Sequence, residues 1–156
     1  MILVIGYGNS LCGDDGLGPY VIDQLEKSLE GSLHDIEFLS LHQLTPELAE
    51  TISHANIVIF VDASAGFTPG TITCHEIKPS IQSSEAIAGA FTHHLNPIML
   101  LENANLLYGK SPKTYLYTMI GENFQLGGSF SPTVESVLPT LMEQLKTRLS
   151  QCMNLE

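Results

Sequence analysis

The chain opens on a continuous apolar run, Ile2-Leu3-Val4-Ile5, which stops at Gly6. Short, β-branched-rich runs without alternation suit a strand covered on both faces of a sheet. A glycine-rich stretch follows. Then comes Tyr20 to Lys27, where Val21, Leu25 and Leu29 recur at helical spacing and Gly31 offers a stop. Ile36 to Leu41 predicts a second strand. Thr45-Pro46-Glu47 predicts the start of a second helix, with Thr45 as N-cap, Pro46 in the first helical position, and Leu48, Ala49 and Ile52 turned inward. Ile57-Val58-Ile59-Phe60-Val61-Asp62 is the strongest strand pattern in the chain. Thr71 to Ile77 alternates and reads as a strand at the sheet edge, after the turn chemistry of Phe67-Thr68-Pro69-Gly70.

Residues 79–91 are rich in Ser and Ala and read as an irregular, mobile loop. From Thr92 the spacing predicts a helix with Leu95, Met99, Leu100, Ala104 and Leu107 on one face, closed by Gly109. Thr114 to Ile120 predicts a last strand. Ser131-Pro132 opens a final helix with Val134, Val137, Leu138, Leu141, Leu145 and Leu149 inward. Strands that alternate with helices predict an α/β sandwich around a mostly parallel sheet. With 156 residues the chain reads as one domain over 1–156, with no internal repeat and no linker.

Charge narrows the range of partners. Six Lys and Arg stand against 17 Asp and Glu, a formal charge of −11. Such a surface repels phosphate, so neither nucleic acid nor an anionic membrane is expected as a partner. The cysteines, Cys12, Cys74 and Cys152, are odd in number and lack a C-x-x-C spacing, which points to a reducing compartment and predicts a cytoplasmic protein. No signal peptide is visible, and no apolar stretch is long enough to span a bilayer.

In sheets of this kind ligands bind beyond the carboxyl ends of the strands. Asp14 and Asp15 follow the first strand, Asp62 ends the third, and His93 and His94 open the helix after the Ser/Ala-rich loop. Gly6-Tyr7-Gly8-Asn9-Ser10-Leu11 begins like a dinucleotide loop, but leucine occupies the third glycine position. A non-catalytic, Rossmann-like module for a nucleotide or small molecule is therefore one reading. The adjacent aspartates argue against it, because carboxylates repel phosphate. Carboxylates at a helix start offset the positive end of its dipole, and Asp14 fits that role, steadying the helix. Two carboxylates and an imidazole converging on the sheet edge would instead bind a divalent transition metal and leave positions open for water or substrate. There is no G-x-S-x-G elbow, and the acidic neighbours of Cys12 oppose a reactive thiolate. His34, His42, His54 and His75 are scattered and read as surface residues or locally satisfied ones.

The run Gly6-Tyr7-Gly8-Asn9-Ser10-Leu11-Cys12-Gly13-Asp14-Asp15-Gly16-Leu17-Gly18 resembles the glycine-rich motif of the hydrogenase maturation endopeptidases. Four further segments resemble that family in the same order: His42-Gln43-Leu44-Thr45-Pro46-Glu47-Leu48, Val61-Asp62-Ala63, Thr92-His93-His94-Leu95 and Gly127-Gly128-Ser129-Phe130-Ser131-Pro132. The resemblance implies a three-layer α/β/α sandwich around a twisted, mostly parallel five-stranded sheet. It also implies a single cut that removes the C-terminal extension of the nickel–iron hydrogenase large-subunit precursor after nickel insertion. Carried over residue by residue, it makes Asp15, Asp62 and His93 both the catalytic set and the ligands of nickel borne by the substrate, with His94 the alternative to His93. Zinc or cadmium would substitute at the same position. Around Thr92 and from Ser131 onward the sequence looks most like the subgroup that serves bidirectional, NAD-linked hydrogenases.

Overall fold

The computed structural model describes residues 1–30, 35–79 and 95–154. His93, His94, His34, Gly31 and nearly all of the loop expected over 79–91 lie outside the described residues. Five strands form one sheet: β1 Ile2–Tyr7, β2 Ile36–Leu41, β3 Ile57–Ser64, β4 Ile72–Ile77 and β5 Lys113–Ile120, in the order β2-β1-β3-β5-β4. The β1/β2, β1/β3 and β3/β5 pairs are parallel, and β4 joins β5 antiparallel at one edge. The helices are α1 Leu17–Ser28, α2 Leu48–Ser53, α3 Pro97–Tyr108 and α4 Pro132–Met153.

Strand alternation sorts the core into two layers. Ile2, Val4, Ile59, Val61, Tyr117 and Met119 pack against α1 and α4 through residues such as Val21, Leu25, Leu138 and Leu145. Leu3, Ile5, Val58 and Phe60 face the other way and pack against α2 and α3 through Leu48, Ile52, Leu100 and Ala104. All four residues of the opening apolar run are fully buried, as a strand covered on both faces requires. On the α4 side, the Arg148 guanidinium lies 4.1 Å from the Tyr115 ring centre, and its Nε donates to the Tyr117 hydroxyl at 3.0 Å. These contacts tie the last helix to β5.

Two expected boundaries shift. The second helix starts at Leu48, and the Thr45 carbonyl accepts the Leu48 N–H at 3.1 Å, so Thr45 opens a tight turn ahead of the helix and does not cap it. The third helix starts at Pro97, with the Asn96 side chain accepting the Met99 N–H at 3.0 Å. Gly109 closes it in the left-handed conformation, as expected. Leu107, expected to face inward, is exposed, while Leu101 is buried in its place. That helix reads Pro-Ile-Met-Leu-Leu-Glu-Asn-Ala-Asn-Leu-Leu-Tyr, with apolar residues around most of its circumference, so periodicity alone does not select its buried face. Among the described residues, no helix is long and apolar enough to cross a membrane.

Candidate active site

After β1 the chain runs through α1 to β2 on one side of it, whereas after β3 it runs to β4 at the opposite edge of the sheet. The carboxyl ends of these neighbouring strands therefore diverge and open a crevice. The segment after β1 turns sharply there. Gly8 has φ +148°, and a Cβ on it would overlap the Asp15 carbonyl oxygen, so glycine is required for the loop to double back on itself. Gly13–Gly16 forms a 3-10 turn that runs directly into α1.

Asp15 sits in that turn, half-buried, and its Oδ2 accepts the Asn9 N–H at 2.7 Å. Asp62 sits near the end of β3, also half-buried. The two carboxylates are close enough that the charge of Asp15 disfavours ionisation of Asp62. Burial is the largest influence on Asp62 and pushes its carboxyl up to about 6. A hydrogen bond from the Tyr7 hydroxyl and one from the Ala63 backbone N–H oppose the rise in part. Burial, the Asp62 charge and the same hydrogen bond hold the Tyr7 phenol well above its ordinary value, so it stays protonated and donates. Tyr7 is itself set in place by an edge-on contact with Phe60, ring centres 6.4 Å apart.

Asp14 does something different from Asp15. Its side chain is fully buried, and no side chain caps α1, whose N-cap is Gly16. The expected helix-steadying role is thus replaced by another. Asp14 Oδ2 accepts the N–H groups of Glu122 and Asn123 and the Ser131 hydroxyl, and Oδ1 accepts the Ser131 N–H, all at 2.8–2.9 Å. Its own N–H donates to the Asn123 carbonyl at 2.7 Å. Burial alone would raise this carboxyl, but the hydrogen bonds outweigh it and hold it below the usual carboxylate value. Asp14 therefore fastens the glycine-rich loop to the β5–α4 connection.

Sequence reasoning placed Asp15 and Asp62 together, and the structure does bring them together. It missed Tyr7, which stands between the first two glycines of the motif and gives no sign in sequence that its hydroxyl reaches Asp62. Among the described residues, no group of three His, Cys, Asp or Glu side chains is arranged to hold a metal; they supply the carboxylate pair alone. His42, His54 and His75 are exposed, as expected. No disulfide joins Cys12, Cys74 or Cys152.

The arrangement suits a cation and not a phosphate. In a phosphate loop the backbone N–H groups point outward to an anion. Here the N–H groups of Gly8, Asn9, Leu11, Cys12, Asp14 and Asp15 all donate within the protein. Among the described residues, two grooves flank the fold. One, of about 400 Å³, lies between the β4/β5 edge and α4 beside Arg148, and neither Asp15 nor Asp62 lines it. The other, of about 430 Å³, borders the glycine-rich loop at Ser10 and Gly16 and runs past Tyr20 to Phe130.

Fold and site together define a class: an α/β/α sandwich with paired carboxylates at the switch point of its sheet. No protein-family model matches the chain. The hydrogenase 2 maturation protease of Escherichia coli strain K12 is 28% identical over 158 residues, spanning 96% of this chain and 91% of that one. The structure of the hydrogenase-maturating endopeptidase HybD from E. coli superposes with a TM-score of 0.72 at 25% identity, covering 97% of this chain and 93% of its own. The [NiFe] hydrogenase maturation protease HycI from Thermococcus kodakarensis has the same fold, with a TM-score of 0.72 at 23% identity over 92% of this chain and 88% of its own. The chain is thus a relative of the hydrogenase maturation endopeptidases, in sequence over nearly its whole length and in fold.

Proposed function

We propose that this chain is a processing endopeptidase that removes the C-terminal extension of a nickel–iron hydrogenase large-subunit precursor once nickel has been inserted. The observation that supports this reading is the convergence of Asp15 and Asp62 on the β1/β3 crevice, in a chain related end to end to maturation proteases. In this reading Asp15, Asp62 and His93 engage the nickel carried by the precursor, so the metal is part of the substrate and serves as its recognition element.

The chemistry of the described residues fits that role. Two neighbouring carboxylates repel each other, and a divalent cation between them relieves the repulsion. Asp62 is held in its half-buried position by Tyr7, so its donor atoms need no reordering when the cation arrives. The site would be complete only when a loaded substrate supplies the metal, which gives selectivity against the nickel-free precursor. Zinc or cadmium would occupy the same carboxylates in place of nickel.

The test is to incubate the protein with precursor large subunit, with and without nickel, and to follow the mass of the precursor. Loss of the C-terminal peptide only from the loaded form is expected. Equal cleavage of both forms refutes nickel recognition, and an Asp62→Ala variant with full activity refutes the ligand assignment. Parallel His93→Ala and His94→Ala variants assign the imidazole, with loss of cleavage expected in the first.

A further inference from the structure

A chain with 17 acidic and 6 basic residues has a strongly charged surface, on which large apolar side chains gathered on one rim mark an interaction site. Four of them stand out from the loops that follow β1, β3 and β5. Leu11 is 65% exposed, Phe67 104%, Leu126 78% and Phe124 37%. Because β1, β3 and β5 are consecutive in the sheet and parallel, these loops open on one rim. The loops are also bound to each other. The Gly127 N–H donates to the Leu11 carbonyl at 2.6 Å, and the Gly121 N–H to the Ser64 carbonyl at 2.8 Å. Asp14 joins the first loop to the third. The Phe124 ring lies over Gly121 beside Asp14.

The same rim bears the carboxylate pair. Asp15 and Leu11 both bond to Asn9, through its N–H and its side-chain oxygen respectively. Phe67 lies in the short loop that leaves the end of β3, the strand that bears Asp62. None of the segments 8–16, 62–70 and 121–131 contains a lysine or an arginine, whereas they contain Asp14, Asp15, Asp62 and Glu122.

We propose that Leu11, Phe67, Phe124 and Leu126 form a preordered apolar collar that docks the folded protein substrate around the acidic crevice. The identity of that substrate rests on the function proposed above. The collar selects a partner face that is apolar at its rim and cationic at its centre, whether the positive charge is a bound metal or a basic side chain. Because hydrogen bonds already order the loops, docking does not have to order them, which favours affinity. Aromatic and long apolar side chains are the groups that anchor protein interfaces. A second copy of this chain is a poor occupant, since pairing through the collar would set two acidic crevices against each other.

The experiment uses the full chain with Phe67 and Leu126 both replaced by serine (F67S/L126S). Both side chains are exposed, so the melting temperature should match that of the wild type. Binding to immobilised precursor, cleavage kinetics and sedimentation are then measured. The expected result is a Kd and a KM each raised about tenfold or more, with kcat within about twofold, the pattern of a lost docking contact. Unchanged Kd and KM overturn the proposal, as does a wild type that fails to bind the precursor. A wild-type dimer that the double substitution dissociates also overturns it, in favour of self-association. A wild type that binds through the collar yet leaves the mass of the precursor unchanged refutes the endopeptidase reading and supports the collar.

Discussion

Ser131 bonds twice to Asp14, through its N–H to Oδ1 and its hydroxyl to Oδ2, each at 2.8 Å and across 117 residues of sequence. The same hydroxyl accepts the Val134 N–H at 3.4 Å, at the start of α4. One serine therefore caps the last helix and anchors the loop that bears Asp15.

Replacing Asp14 by Asn removes the charge from this fully buried cluster and sets an amide NH₂ against backbone donors. The variant is expected to lose roughly 3 kcal/mol of stability at neutral pH, since charge-assisted bonds and buried unpaired donors each contribute on this scale. The sign of the pH effect follows from the depressed Asp14 value. Its contribution is present above the ordinary carboxylate value and is lost as pH falls through the lower native value. Urea denaturation of wild type and variant should therefore converge in strong acid. Equal midpoints at pH 7 would contradict the role assigned to Asp14.

Ser131→Ala keeps the backbone bond to Asp14 and loses both hydroxyl contacts. A smaller destabilisation is expected, about 1 to 2 kcal/mol, typical of a lost helix cap. Thermal melting followed by circular dichroism measures it, and a loss larger than that of Asp14→Asn would make Ser131, not Asp14, the stronger member of the clasp.

Asp62 predicts the opposite pH dependence. Its native value, pushed up to about 6, lies above that of an unfolded carboxyl. The stability that it contributes is therefore present below the ordinary carboxylate value and is lost as pH rises through 6. Asp62→Asn should stabilise the metal-free protein at pH 7.5 by on the order of 2 kcal/mol, a rise of about 5 °C in melting temperature, and do little at pH 4.5. Calorimetry at the two values decides it, and a destabilised variant at pH 7.5 would count against a strained native carboxylate.

Tyr7→Phe removes the hydroxyl that favours ionised Asp62 while leaving the ring against Phe60. The Asp62 midpoint, followed by carbon-detected NMR of the side-chain carboxyl, should move above 6. Asp15→Asn should move it down, because it deletes a like charge. If neither substitution moves the midpoint, the three side chains do not form one cluster.

The strands and most helix faces were legible because each follows from local periodicity. Asp15 and Asp62 were legible as well, because strand carboxyl ends are where an α/β sheet places its ligands. Two failures have a common form. Thr45 and the residues from Thr92 have the composition of a helix start, yet the helices begin at Leu48 and Pro97, where tertiary packing and the Asn96 cap set the boundary. Leu107 has the spacing of an inward residue, yet α3 buries Leu101 and exposes Leu107.

What the amino-acid sequence determined by itself was the order of the elements, the burial of the opening run and the acidic character of the sheet's carboxyl edge. Only the tertiary structure decided what each acid does. Asp14 and Asp15 are adjacent in sequence and chemically identical, but successive residues of a tight turn point in different directions. One meets the amides of residues 122, 123 and 131 and becomes a buried clasp. The other bonds to Asn9 and turns its charge toward Asp62 and Tyr7. Those partners come from distant parts of the chain, and only the closed sheet brings them within reach.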